Sequence, residues 1–226
     1  TGVEALLRWE HPEWGLVQPD RFISIAEECG LIVPIGRWVL REVCMQAVRW
    51  RRAGLAAISI AVNVSALEFR HREFFDQALA IFDATGVDPA CLQLELTESV
   101  LMRDVAASAN LLAKFKAMGV QIAVDDFGTG YSSLSYLNQF PIDVLKIDQS
   151  FVRAIDAGAG SNGAIVSAVI GMGKNLRHRV VAEGVEDQEQ LAFLKAQDCN
   201  EAQGYWFSRP VDAAAMGAML GAGICA

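Results

Sequence analysis

Two adjacent carboxylates, Asp125 and Asp126, close an apolar run that starts at Ile122, and Gly128 and Gly130 bracket Thr129 just beyond them. Side chains along a strand alternate faces, so neighbouring aspartates converge only where the regular pleat stops. The glycines supply the freedom to turn there. Two convergent carboxylates suit a hard divalent cation, or a pair of them. An acidic turn without a ligand is the competing interpretation, since Asp and Gly are ordinary turn residues. What the other strand ends carry decides between the two.

Strand-like runs are expected at 3–9, 58–65, 92–97, 121–126, 144–148, 180–185 and 202–207. Their polar tips are Glu4 with Arg8, Asn63, Glu95, Asp125 with Asp126, Lys146 with Asp148, Glu183, and Gln203. A buried carboxylate without a partner is expensive. One or two of these acids can be satisfied as structural ion pairs, but Lys146 and Arg8 cannot neutralise them all. Bound divalent metal is the economical solution. A donor set of carboxylates, amide and water, with no His or Cys, points to Mg²⁺ or Mn²⁺ rather than Zn²⁺. The planar fork of Arg8 is suited to phosphate oxygens, and a partner role for the neighbouring acids is its alternative.

Helix-like stretches separate these runs, at about 20–30, 35–53, 68–85, 100–118, 131–139, 165–176, 187–197 and 212–220, with a loop at 157–163. Such alternation implies a parallel sheet with helical crossovers. Splitting each strand by parity puts Ile58, Ile60, Val62 and Val64 on one face and Asn63 on the other. Leu92, Leu94 and Leu96 likewise oppose Glu95, and Leu145 and Ile147 oppose Lys146. The expected fold is a TIM-like (β/α)8 barrel in which the polar positions line the mouth at the strands' C-terminal ends. Seven strands are legible where eight are needed, so one is expected before Thr1. The chain reads as one domain over 1–226.

The composition narrows the function. A net charge of −8 and a pI near 4.9 argue against a nucleic-acid polymer as partner. An acidic protein that takes an anionic substrate needs metal ions or a local cation to offset repulsion. The five Cys, at 29, 44, 91, 199 and 225, form no CxxC pair and read as reduced thiols of a cytoplasmic protein. No run reaches the roughly 18 apolar residues that span a bilayer, so no membrane contact is expected of this domain.

Seven motifs, taken in order, resemble one family. They are Glu4-Ala5-Leu6-Leu7-Arg8-Trp9; Asn63-Val64-Ser65; Leu94-Glu95-Leu96-Thr97-Glu98; Asp125-Asp126-Phe127-Gly128-Thr129-Gly130-Tyr131-Ser132-Ser133-Leu134; Leu145-Lys146-Ile147-Asp148; Ala182-Glu183-Gly184-Val185-Glu186; and Gln203-Gly204-Tyr205-Trp206-Phe207-Ser208-Arg209-Pro210. Together they are similar to the EAL-domain phosphodiesterases, which hydrolyse the bacterial second messenger cyclic di-GMP.

The resemblance implies a barrel whose first strand runs antiparallel to the rest, and that strand is missing from the chain as given. It implies two Mg²⁺ or Mn²⁺ ions. Glu4, Asn63, Glu95 and Asp125 would hold one, and Asp125 would bridge to a second completed by Asp126 and Glu183. Lys146, Glu183 and Glu186 would have catalytic roles in opening cyclic di-GMP to linear pGpG, by in-line attack of a bridging hydroxide. Substrate contacts would fall to Leu7, Arg8, Gln18, Pro19, Asp148, Gln203, Arg209 and Pro210. Glu98 would steady the loop that begins Phe127-Gly128-Thr129-Gly130, beside the interface of a homodimer. Sensor or GGDEF domains are expected upstream in the parent protein, which can itself be membrane-anchored. The alternatives are a non-catalytic cyclic di-GMP receptor and a metal-free phosphosugar barrel enzyme.

Overall fold

The computed structural model describes residues 2–129, 137, 139–155 and 162–223. The chain divides into two compact units: Thr1–Leu94 with Met118–Val120 and Asp212–Ala226, and Glu95–Ala117 with Gln121–Val211.

In the first unit, β1 (Gly2–Ala5) pairs in parallel with β4 (Ser59–Asn63), setting Glu4 opposite Ala61 and Ala5 opposite Val62. β1 stops well short of the expected residue 9. The chain turns instead into an antiparallel hairpin of β2 (Trp9–His11) and β3 (Gly15–Val17). His11 closes its turn: Nδ1 accepts the backbone N–H groups of Glu13 and Trp14, both at 3.2 Å. Trp9 packs edge-on against Phe22 at 5.8 Å. A 3-10 turn at Pro19–Arg21 leads into α1 (Ile23–Glu28).

The long helix α2 (Ile32–Arg52) buries Leu40, Val43, Cys44, Ala47 and Val48, the i, i+3, i+4 stripe of a helix lying against a core. Its basic C-terminal turn, with Arg49, Arg51 and Arg52, complements the helix dipole. The expected single helix over 68–85 is two, α3 (Ala66–Phe69) and α4 (Phe74–Thr85). The break falls in the polar stretch Arg70-His71-Arg72-Glu73, which offers no apolar stripe to bury. α4 ends at Gly86, which adopts the left-handed conformation (φ 66°) of a helix C-cap.

In the second unit the strands lie in the order β5 (Leu92–Thr97, its first half in the other unit), β6 (Gln121–Phe127), β7 (Val144–Ile147), β8 (Arg179–Ala182) and β9 (Glu201–Ala202). The pairs β6–β7, β7–β8 and β8–β9 are parallel. The helices between them are α5 (Glu98–Met102), α6 (Val105–Ala117), α7 (Gln149–Arg153), α8 (Asn162–Leu176) and α9 (Gln188–Ala196). Ile122, Ala123, Val124, Val144, Leu145 and Ile147 are all fully buried. Burial on both faces is what parallel strands under helical cover require.

β9 is shorter than the expected strand over 202–207, because Gly204 leaves the ladder and Trp206 N–H then bonds back to Val185 O at 2.9 Å. The final helix, α10 (Ala213–Gly221), belongs to the first unit, and Asp212 caps it through Ala214 and Ala215 N–H. Most of the helix expected over 131–139 and of the loop over 157–163 lies outside the described residues. No helix among the described residues is long and apolar enough to cross a membrane.

Candidate active site

β6 does not end at its paired acids. It runs on to Phe127, and its register against β7 slips between Val124 and Phe127. Asp126 sits in that irregularity with a left-handed backbone, φ 51°. A bulge of this kind re-aims a side chain that a regular pleat would send to the opposite face. It therefore resolves the conflict between two adjacent aspartates and one site. Asp126 N–H donates to its neighbour's carboxylate, Asp125 Oδ1, at 3.0 Å. Downstream, Thr129 Oγ1 donates to Asp126 O at 2.8 Å, and Gly128 (φ 95°) lies against the ring of Phe151. Gly130 lies outside the described residues.

Lys146 is the hub of the second unit. It is 2% exposed, and its Nζ lies 2.5 Å from Glu183, 2.7 Å from Glu95 and 3.3 Å from Asp125. One ammonium thus faces three carboxylates drawn from β5, β6 and the residue after β8. Among the described residues, Asp125, Asp126 and Glu183 also present carboxylate oxygens that all lie within 4.8 Å of one another, a set that can hold a metal ion. The electrostatics fit a cation there. The Asp126 carboxyl is pushed above its usual range, first by burial, then by the charges of Asp125 and Asp148 and a hydrogen bond to Asp148, with Lys146 pulling the other way. Oxygen-only donors suit hard ions.

The segment from Glu183 to Asp187 is tied down at several points. Glu183 N–H bonds to Ile147 O at 3.1 Å, and Val185 N–H to Gln203 O at 3.0 Å. The buried Gln190 accepts Glu186 N–H at 2.8 Å. Arg153 donates to Glu186 Oε1 from Nη2 at 2.9 Å and from Nε at 3.2 Å. Gln203 N–H reaches Ala182 O at 2.8 Å, so the strand end of Gln203 registers directly on that of Glu183. Gly204 makes this possible: a Cβ there would lie 2.2 Å from Val185 O and 2.3 Å from Val185 N. Asp148 caps α7, accepting Ser150 N–H at 3.0 Å as well as the Ser150 hydroxyl. Glu98 opens α5 and is buried. Arg209 stacks over the Tyr205 ring at 4.6 Å, and Pro210 follows it, exposed.

In the first unit Asn63 Nδ2 donates to Glu4 Oε1 at 2.7 Å, across the β1–β4 pair. Arg8 Nη1 donates to Leu7 O at 2.8 Å, a fold-back within the exit from β1. Gln18 precedes the Pro19 turn and its carbonyl accepts Arg21 N–H at 3.2 Å.

Arg153 and Phe151 support the site although nothing local in the sequence marks them, because each acts through a neighbour distant in the chain, Glu186 and Gly128. Glu68 was missed despite a visible signal. Ser65-x-x-Glu68 is the pattern of a capping box.

An α/β protein with parallel strands and an acidic cluster around a buried lysine is the class these features define. The chain matches the EAL domain family over residues 1–210 and belongs to it. Over 212 residues it is 48% identical to the bifunctional diguanylate cyclase/cyclic di-GMP phosphodiesterase MucR of Pseudomonas aeruginosa, covering 94% of this chain and 31% of that protein. Cyclic di-GMP phosphodiesterase PdeR of Escherichia coli is 42% identical over 213 residues, 94% of this chain and 32% of its own.

Among solved structures, the PaMucR phosphodiesterase in complex with c-di-GMP has a TM-score of 0.92 at 47% identity, covering 95% of this chain and 87% of that one. The cAMP- and cyclic-di-GMP-bound form of EAL enzyme Bd1971 gives 0.89 at 33% identity, covering 96% and 59%. The fold class is accordingly TIM-like α/β, as the strand–helix alternation led one to expect. The chain spans about a third of the length of the curated relatives it matches.

Proposed function

We propose that this domain hydrolyses cyclic di-GMP to linear pGpG. The observation that carries the reading is the Lys146 hub: three family-motif acids from separate strands gather on one buried ammonium, and Asp126 stands beside them. The names of the relatives agree with it.

Glu4, Asn63, Glu95, Asp125, Asp126 and Glu183 are assigned to two divalent ions, Mg²⁺ or Mn²⁺. When bound, such ions lower the pKa of a water and offset charge on the phosphodiester. Lys146 keeps Glu95, Asp125 and Glu183 in one orientation and holds a positive charge beside the position of the reacting phosphate. Glu183 and Glu186 flank Gly184, whose left-handed backbone (φ 69°) turns the segment between them, and they accept or relay the proton of the attacking water. Arg8 takes a phosphate oxygen. Leu7, Gln18, Pro19, Asp148, Gln203, Arg209 and Pro210 border the substrate. Glu98 and the loop from Phe127 support a homodimer, and the parent protein joins the domain to upstream sensor or GGDEF modules in the cytoplasm.

The test is turnover. The protein is incubated with cyclic di-GMP and Mg²⁺ or Mn²⁺, and pGpG is separated by chromatography. Product should form, EDTA should stop it, and Lys146→Ala or Glu4→Ala should reduce the rate by about 100-fold or more, the range for groups acting on the reacting atoms. Tight binding in the presence of metal with no product identifies a receptor instead. Light scattering at several concentrations tests the dimer.

A further inference from the structure

Asn63, whose amide holds the Glu4 carboxylate, is followed two positions later by Ser65, the N-cap of α3. α3 is a single turn of four residues, too short to persist on local propensity. It is closed by a complete capping box: Ser65 Oγ accepts Glu68 N–H at 3.2 Å, and Glu68 Oε2 accepts Ser65 N–H at 3.1 Å and the Ser65 hydroxyl at 2.7 Å. A capping box needs no burial to form, yet Glu68 is only 6% exposed. Its carboxyl rests on the backbone of α2 at Gly36. A Cβ on Gly36 would fall 1.5 Å from Glu68 Oε1 and 2.2 Å from its Cδ. A glycine in the first turns of a long helix and a buried carboxyl are each unfavourable locally. Their coincidence at one contact suggests that the contact has a positional purpose.

We propose that Glu68, seated against Gly36, is a positioning residue that fixes the exit of β4 and so holds the Asn63 amide on Glu4. Glu68 meets no substrate; it acts through Ser65 and the short link back to Asn63. Burial raises its carboxyl above the usual value of 4.5, and the two Ser65 bonds oppose that shift. A group that only stabilised α3 would do so as well from the surface. The consequence for catalysis rests on the phosphodiesterase function proposed above, whereas the placement of Asn63 does not.

The experiment compares wild type, Glu68→Gln, Glu68→Ala and Ser65→Ala in the whole protein. Its readouts are the side-chain amide signals of Asn63 in ¹⁵N-correlated NMR, kcat and KM for cyclic di-GMP, and the melting temperature. Gln at this position still accepts Ser65 N–H, so Glu68→Gln should keep the Asn63 signals and a kcat within about 3-fold of wild type. Glu68→Ala should shift or broaden those signals and lower kcat about 10-fold with KM little changed, the lower end of the effect for residues that orient metal-ligating groups. Ser65→Ala removes the same lock from the other side and should move the same signals, which keeps the test alive if Glu68→Ala does not fold. Unmoved Asn63 signals and unchanged kcat in variants that merely melt earlier would overturn the proposal. So would a Glu68→Gln protein that behaves like Glu68→Ala. If wild type turns over no cyclic di-GMP, the phosphodiesterase function fails while the NMR comparison still decides the positioning role.

Discussion

Replacing Lys146 by Met removes one positive charge and little volume, and leaves Glu95, Asp125 and Glu183 facing one another. The three ion pairs that this breaks span 2.7, 3.3 and 2.5 Å. At an effective dielectric constant near 20, each is worth roughly 5–7 kcal/mol of gross Coulomb attraction. Desolvation of the ammonium and of Glu95, whose side chain is 1% exposed, offsets much of this in the intact protein. The variant keeps the desolvation of Glu95 without the attraction, so the expected destabilisation is about 3–5 kcal/mol, the range for removing one partner of a buried pair. With a urea m-value of about 2–3 kcal/mol/M, the unfolding midpoint should fall by on the order of 1–2 M. The double variant Lys146→Met with Glu95→Gln should recover a large part of the loss, because it removes one of the three carboxylate charges left facing one another. Urea unfolding followed by circular dichroism, without divalent ions, measures both. A fall of less than about 1 kcal/mol, or a double variant no better than the sum of the singles, would refute the hub as an electrostatic centre.

Four further outcomes are expected. Arg153→Ala breaks a pair whose side chains are 53% and 43% exposed, so stability should change by less than about 1 kcal/mol; a larger shift in the same urea assay would mean the pair is more than a solvated contact. Gly204→Ala puts a Cβ onto the Val185 backbone, which cannot step aside, and should lower stability by about 1–3 kcal/mol in thermal melts. Mg²⁺ at a hundredfold excess over its Kd should stabilise wild type by about 2.7 kcal/mol, and Asp126→Asn should lose most of that gain; equal shifts in both would place the ion elsewhere. Glu68 is held protonated to higher pH when folded than when unfolded, because of burial, so the native state binds more protons and stability falls as pH rises from about 4.5 through the folded value. Glu68→Gln removes that penalty: its melting temperature relative to wild type should be higher at pH 7.5 than at pH 4.5, and the reverse order would contradict the burial argument.

The periodicities visible in the chain led to the correct elements wherever a segment buries a regular stripe. α2 is such a case, with Leu40, Val43, Cys44, Ala47 and Val48 on one side, and β6 and β7 are others, with Ile122, Ala123 and Val124 and with Val144, Leu145 and Ile147 fully buried. Failures fell where no periodic apolar stripe carries the structure. The hairpin at Trp9–His11 and Gly15–Val17 depends on Trp9 packing on Phe22 and on His11 capping its own turn, contacts without a period. The break between α3 and α4 follows from polar residues that nothing in the strand–helix rhythm separates from a continuous helix. The candidate site was legible as a series of acids at strand ends, since each motif carries its own residues.

The order of elements, the acidic strand tips and the family follow from the linear sequence, because hydrophobic period and short motifs are properties of neighbouring residues. Which acids share Lys146, how Asp125 and Asp126 reach one side, and what a side chain at Gly36 would displace were decided only by the tertiary structure. Those depend on strand order, on a slip of register at one bulge and on the approach of a carboxyl to a helix backbone, all of them distances between residues far apart in the chain.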